Sequence, residues 1–317
     1  MIIRRVCLVG GSGFLGRNVA MQLAARGITV RIPTRHRERA KRELILLPTA
    51  EVFNADVHED GALAQSVRGC DAVVNLVGVL HDAGGQGYAR NHEQLPTRIV
   101  RTCLAEAVPR LVHVSALGAG PGAPSNYQRS KGRGEAAVKA GAREGLAVTI
   151  LRPSVIFGRG DGFLTLFARL ARAFPVLPLG CAGARFQPIW VEDVARAAVH
   201  CVNDPATAGN SYDLCGPTTY TLADLVQLTC ATIGLRRTIL PLPPRLARLQ
   251  AALLERLPGR LMTLDNVRSM SVDNVCGCGF PEVFGFRPTA LEAVAPSYLT
   301  GASRLARHDL MRGRAGR

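Results

Sequence analysis

Between residue 3 and about residue 152 the chain alternates strand-length apolar runs with helical patterns, and this alternation constrains the fold more than any other feature. The apolar runs are Ile3–Val9, Thr29–Ile32, Ala50–Phe53, Ala72–Val77, Leu111–Ser115 and Ala147–Leu151. Helical spacing marks Leu15–Arg26, Arg37–Leu46, Gly61–Arg68, Gln94–Ala107 and Asn126–Glu144. Strands that are apolar almost throughout are covered on both faces, and strands alternating with helices pair in parallel. The expectation is an α/β fold built on a doubly wound parallel sheet. Beyond Pro153 the rhythm breaks. Helical patterns at Leu164–Phe174, Val194–Val202, Leu222–Ile233 and Arg245–Leu257 mix there with short strand-like pieces and prolines. The sequence thus predicts a first domain over 1–152, a smaller irregular C-terminal lobe over 153–300 interleaved with it, and a basic tail over 301–317.

The first strand runs into the first helix through Val9-Gly10-Gly11-Ser12-Gly13-Phe14-Leu15-Gly16. Glycines at 10, 13 and 16 allow a tight turn, close backbone approach to a pyrophosphate, and close packing of helix on strand. The helix N-terminus then offers free N–H groups to the anion. Among 33 glycines such a motif arises by chance, but its place between an N-terminal strand and a helix gives it weight. It predicts a Rossmann-type site for a dinucleotide, with Gly10, Ser12, Gly13, Phe14, Leu15 and Gly16 around the diphosphate. At the end of the second strand, Val30-Arg31-Ile32-Pro33-Thr34-Arg35, no acid precedes Glu38 to bind adenosine ribose hydroxyls. Arg35 instead suits a 2′-phosphate, so NADP(H) is expected ahead of NAD(H). The alternative is a solvated basic loop.

Tyr127 and Lys131 stand four residues apart on an expected helix, hence on one face. With 5 tyrosines and only three lysines (Lys41, Lys131, Lys139), about 0.05 such pairs arise by chance. Ser115 closes the fifth strand, at the sheet edge where open α/β folds bind ligands. A phenol with a lowered pKa beside an ammonium exchanges a proton with a substrate oxygen, and a serine hydroxyl holds that oxygen.

Lys and Arg total 39 against 24 acids, a formal charge of +15, and all but three of the basic residues are arginines. Arginine-rich coding accounts for this; so does a surface drawn to phosphate, anionic lipid or an acidic partner. The charge is densest in Arg31–Arg42 and Arg304–Arg317. No zinc-finger spacing or RNA-reading aromatic pattern accompanies it, so nucleic acid is not an expected partner. The histidines show no metal-ligand spacing, and no metal is expected. Nine cysteines, an odd number, argue for reduced thiols, with Cys276 and Cys278 as structural thiols. Residues 3–9 already read as a strand, leaving no room for a leader. That implies a cytoplasmic bacterial protein, with peripheral contact at the inner face of the cytoplasmic membrane as a further option. In Arg245–Leu257, Leu246, Leu249, Leu253 and Leu257 follow helical spacing with Arg245, Arg248 and Arg256 beside them. The simpler reading packs the leucines inward; the alternative is a membrane-surface or subunit-docking helix.

The glycine turn, Asn75-Leu76-Val77-Gly78, Ser115, Tyr127/Lys131 and Arg152-Pro153-Ser154-Val155-Ile156-Phe157-Gly158, in this order, resemble the extended and atypical short-chain dehydrogenase/reductases over roughly residues 3 to 300. Asp56-Val57 resembles that family's adenine contact, and Val191-Glu192-Asp193-Val194-Ala195 its late VxDVA segment. The resemblance implies catalytic Ser115, Tyr127 and Lys131, with Asn91 as the matching asparagine. It also implies cofactor contacts from Asp56, Val57, Asn75, Val77, Tyr127, Lys131 and Pro153. Val9 departs from the usual threonine that begins the motif, which bears on hydrogen bonding in the turn. Ile156-Phe157-Gly158-Arg159-Gly160-Asp161-Gly162-Phe163-Leu164 and Gln187-Pro188-Ile189-Trp190-Val191-Glu192-Asp193-Val194 are similar, more narrowly, to the accessory subunits of this type in respiratory complex I and their bacterial homologues. That likeness implies tightly held NADPH, a structural role, and partners in a respiratory complex or in ubiquinone biosynthesis. An active reductase, epimerase or dehydratase is the alternative. A redox sensor is less favoured, because such sensors commonly lack the Tyr–Lys pair.

Overall fold

The computed structural model describes residues 2–80, 82, 85–256 and 262–300. The basic tail and the last residue of the Arg245–Leu257 pattern lie outside the described residues. The chain begins β1 (Arg5–Val9), α1 (Phe14–Ala24), β2 (Thr29–Thr34), α2 (Arg37–Leu44), β3 (Ala50–Asn54), α3 (Asp60–Val67), β4 (Ala72–Asn75). A π-helical segment, Ala89–Gln94, leads into α4 (Leu95–Ala105), followed by β5 (Arg110–Val114), α5 (Asn126–Arg143) and β6 (Ala147–Pro153). Next come β7 (Ile156–Phe157), α6 (Leu164–Ala173), β8 (Val176–Leu179), β9 (Arg185–Phe186), β10 (Ile189–Trp190), α7 (Val191–Asn203) and β11 (Ser211–Leu214). The chain continues with β12 (Tyr220–Thr221), α8 (Leu222–Thr232), β13 (Thr238–Pro241), α9 (Pro244–Leu254), α10 (Leu264–Ser269), α11 (Leu291–Val294) and α12 (Pro296–Leu299). Among the described residues no helix is long and apolar enough to cross a membrane.

The chain divides into two units. The first comprises residues 1–154, 191–214 and 276–286. Its seven-stranded sheet has the order β11-β6-β5-β4-β1-β2-β3, and every pairing is parallel. The apolar sequence of β1, β4 and β5 follows from this: each is buried on both faces. One face packs Cys7, Val9, Val73, Leu111 and Ile150 against Leu63, Leu95, Ile99 and Val138. On the other, α1 packs against α7. The rhythm of the sequence placed that helix beyond the break at Pro153. It returns because the sheet's second face needs cover, and its buried Val194, Ala198 and Cys201 supply it. Strand order reverses between β4 and β1, the place where ligands bind at the carboxyl ends of such sheets.

The second unit comprises residues 155–190, 215–275 and 287–317. Its core gathers Phe157, Leu164, Ala168, Leu177, Phe186, Leu225 and Val226. Short strands pair β7 with β10, β9 with β12, and β8 with β13. Two expectations are corrected here. The leucines of α9 do not pack inward: Leu246, Leu249 and Leu253 are exposed, while Ala247 and Ala251 are buried. The cause is a close approach. A Cβ on Gly180 would lie 2.9 Å from the Ala247 Cβ, so only the small-residue face of the helix fits there. Nor are all the thiols reduced. Cys215 and Cys276 are disulfide-bonded, whereas Cys7, Cys70, Cys103, Cys181, Cys201, Cys230 and Cys278 are free. Cys276 and Cys278, expected as structural thiols, divide: Cys276 is disulfide-bonded and Cys278 is an exposed free thiol.

Candidate functional site

The turn after β1 is held by two backbone bonds, Gly11 N–H to the Leu8 carbonyl and Gly13 N–H to the Gly10 carbonyl, both 3.0 Å. Gly10 has φ +88°, open to glycine at little cost. At Gly16 the constraint is space: a Cβ there would sit 2.3 Å from the Gly10 carbonyl oxygen. These glycines let α1 start directly against the turn. Gly13, exposed, is the N-cap of α1. No side chain caps the helix and no acid lies in its first turn, so its first N–H groups and its positive dipole end are uncompensated. Ser12 and Phe14 are half-buried beside it, and Leu15 is anchored in the core.

Arg35, just past β2, is exposed, and its guanidinium makes no hydrogen bond or ion pair among the described residues. Glu38, the first acid after the strand, lies 3.5 Å from Arg37. Asp56 follows β3; one carboxylate oxygen accepts from His58 N–H at 3.0 Å and the other lies 3.4 Å from Arg90. Val57 packs against the core.

At the carboxyl ends of β4 and β5 the polar groups are buried. Asn75 accepts from Val77 N–H at 3.2 Å, so its amide N–H₂ faces His113 Nδ1 at 3.1 Å. Lys131 reaches up from α5 and donates to the carbonyls of Val77 (3.3 Å) and Val114 (3.2 Å). Burial brings its ammonium down to about 8, partly opposed by Glu135. Ser115 is buried, its N–H bonded to the Leu151 carbonyl at 2.8 Å, yet its hydroxyl has no hydrogen-bond partner among the described residues. Pro153 accepts from Leu117 N–H at 2.9 Å, tying the end of β6 to the segment after Ser115.

Tyr127 is half-buried one turn before Lys131, and desolvation pushes its phenol up to about 12. Two residues not singled out by the sequence flank it. His92 meets its ring edge-on at 5.5 Å, and Tyr88 does so at 6.0 Å. His92 Nε2 accepts from Val79 N–H at 3.0 Å, which places the ring proton on Nδ1, 2.9 Å from the Ser130 hydroxyl. That hydroxyl donates in turn to the Tyr127 carbonyl at 2.7 Å. The signal for His92 was faint: a lone histidine in a polar run, exposed as important only when the π-helical segment turns it inward. Asn91, next to it, is engaged elsewhere. Its amide donates to the Gly87 carbonyl at 2.7 Å and bonds His58. The structure therefore gathers Ser115, Lys131, Asn75 and Val77 at adjacent strand ends, with Tyr127 on the same helix as Lys131. Asn91 instead bonds within its own segment, to the Gly87 carbonyl.

An uncapped helix N-terminus after a glycine turn, at the strand-order reversal of a parallel sheet, defines a protein of the Rossmann type. The chain belongs to the NAD dependent epimerase/dehydratase family, whose model matches residues 6–215. It is 30% identical over 295 residues to the mouse mitochondrial NADH dehydrogenase [ubiquinone] 1 alpha subcomplex subunit 9, covering 89% of this chain and 76% of that protein. To the ceramide reductase of Caulobacter vibrioides it is 28% identical over 240 residues, covering 75% of this chain and 73% of that one. The fold matches MoeE5 in complex with UDP-glucose and NAD at a TM-score of 0.70 and 20% identity, over 95% of this chain and 99% of that one.

Proposed function

We propose that the chain is an NADP(H)-holding protein with an accessory, redox-linked role beside a respiratory or quinone-handling assembly. The observation that carries this reading is the uncapped N-terminus of α1, whose free N–H groups and missing Cβ atoms fit a diphosphate. Gly10, Ser12, Gly13, Phe14, Leu15 and Gly16 would hold the diphosphate, with Asp56 and Val57 at the adenine. Arg35, whose guanidinium makes no hydrogen bond or ion pair among the described residues, would take a 2′-phosphate, which favours NADP(H) over NAD(H). Asn75, Val77 and Pro153 would border the nicotinamide, and Tyr127 and Lys131 its ribose. When bound, the nicotinamide supplies a hydride to give or accept.

Burial pushes the Tyr127 phenol up to about 12, which keeps it protonated at neutral pH and disfavours the oxidising direction, where it would act as a base. Lys131, which donates to the Val77 and Val114 carbonyls, would orient the ribose. The respiratory role draws its support from the mouse relative's description as a subunit of NADH dehydrogenase.

One observation favours a second reading, an active reductase, epimerase or dehydratase. The Ser115 hydroxyl is buried at a strand end and unpaired among the described residues, as a group awaiting a substrate oxygen would be. Native mass spectrometry of freshly purified protein, paired with quinone-driven oxidation of the bound cofactor, separates the two. Retained NADPH that no quinone oxidises fits the holding role. Rapid oxidation abolished by Tyr127→Phe fits the enzyme. If calorimetry detects no uptake of either nucleotide, both readings fall.

A further inference from the structure

We propose that α9 is the face by which this protein lies on an anionic membrane surface. The inference is independent of the dinucleotide reading and starts from the reversed packing of that helix. Leu246, Leu249 and Leu253 are 48%, 56% and 55% exposed. At about 100° per residue they share an arc of about 60°, roughly opposite the buried Ala247 and Ala251. An apolar stripe therefore points straight away from the fold. Arg245 and Arg248 lie along one flank of it and Arg256 just past the helix end. All three are exposed and unpaired among the described residues. Glu255, the nearby acid, accepts from Leu264 N–H at 3.3 Å. The β8–β13 ribbon, to which Gln250 bonds through the Pro178 carbonyl at 2.9 Å, also turns Val176 and Leu240 outward.

Length and charge select the occupant. Eleven residues give about 16 Å of helix, too short for a hydrocarbon core of about 30 Å, so the helix lies in the interface plane. A second copy in a two-fold dimer would set arginine flank against arginine flank, and the acid at the helix end, Glu255, already accepts from Leu264 N–H. An anionic headgroup layer accepts the leucines and the arginines together, and the net charge of +15 draws the chain to it.

The test is co-sedimentation of the full chain with phosphatidylcholine vesicles, with and without phosphatidylglycerol at about one third of the lipid. Binding is expected to be at least about ten-fold stronger on the anionic vesicles at low salt. Because the leucines are exposed, L246S/L249S/L253S retains the fold, checked by its melting curve, and loses about ten-fold or more in partitioning. R245Q/R248Q loses about twenty-five-fold at low salt, about five-fold per arginine. A tryptophan introduced as L249W shifts its emission to the blue when anionic vesicles are added. The proposal is overturned by three results: wild type and the leucine variant binding alike, wild type not binding, or a leucine-dependent dimer that ignores vesicles.

Discussion

Acidification tests the buried polar layer of the sheet most directly. His92 is 1% exposed and His113 2% exposed. Each spends a ring nitrogen as an acceptor, His92 from Val79 N–H and His113 from the Asn75 amide. Protonating either nitrogen would set N–H against N–H in a dry site near the Lys131 charge. Desolvation, with Lys131 adding, takes His92 down to about 2 and His113 to about 3. The unfolded chain takes up these protons near pH 6.5, whereas the folded chain does not. Stability is therefore fully present above pH 6.5 and falls as pH drops towards the folded values. At pH 5 each histidine costs about 2 kcal/mol, so the pair removes about 4 kcal/mol of a typical 5–15 kcal/mol. Urea unfolding followed by circular dichroism at pH 7.5 and 5.0 measures this before the carboxylates titrate appreciably. His92→Gln and His113→Gln should each halve the pH slope, whatever they do to absolute stability. A wild-type loss below about 1 kcal/mol, or slopes unchanged in both variants, would refute the reasoning.

Three further outcomes follow from the site. Gly16→Ala forces a methyl onto the Gly10 carbonyl and should cost about 1–3 kcal/mol in thermal stability while abolishing nucleotide uptake by calorimetry. Ser115→Ala removes a buried hydroxyl that bonds nothing among the described residues, so its melting temperature should hold or rise, by up to about 1–3 kcal/mol of stability, even as any quinone-driven oxidation falls. Arg35→Ala should lower the ratio of NADPH to NADH affinity by ten-fold or more, about 1.4 kcal/mol; an unchanged ratio returns Arg35 to a solvated loop.

The strands and helices of the first unit were legible because burial on both faces leaves a plain mark: the apolar runs at 3–9 and 72–77 each contain a strand, and the run at 111–115 overlaps β5 with a one-residue offset. The glycine turn was equally readable, since Gly16 answers to a steric limit that no other residue meets. Periodicity was less informative at α9. That helix carries a leucine stripe and an alanine stripe, and pattern alone favoured the leucines as the inner face. A glycine at position 180, more than sixty residues earlier, decides otherwise by admitting only small side chains. His92, Tyr88 and His113 stayed hidden for a related reason. Their importance lies in partners such as Val79, Ser130 and Asn75, and nothing in local spacing announces a hydrogen bond made across the fold.

The outermost strand of the sheet has a bearing on how the polypeptide matures. β11 adds to β6 in register, Ser211 opposite Ile150 and Leu214 opposite Pro153, and α7 closes over α1. A nascent chain that has cleared the ribosome only to residue 152 therefore carries a bare parallel edge and an uncovered helix flank. It must wait for about sixty more residues, on the order of several seconds of synthesis, before either is sheathed. Truncations placed at the apparent domain boundary should yield sticky, chaperone-dependent fragments, whereas those retaining residue 214 recover the strand and the helix that seal the layer.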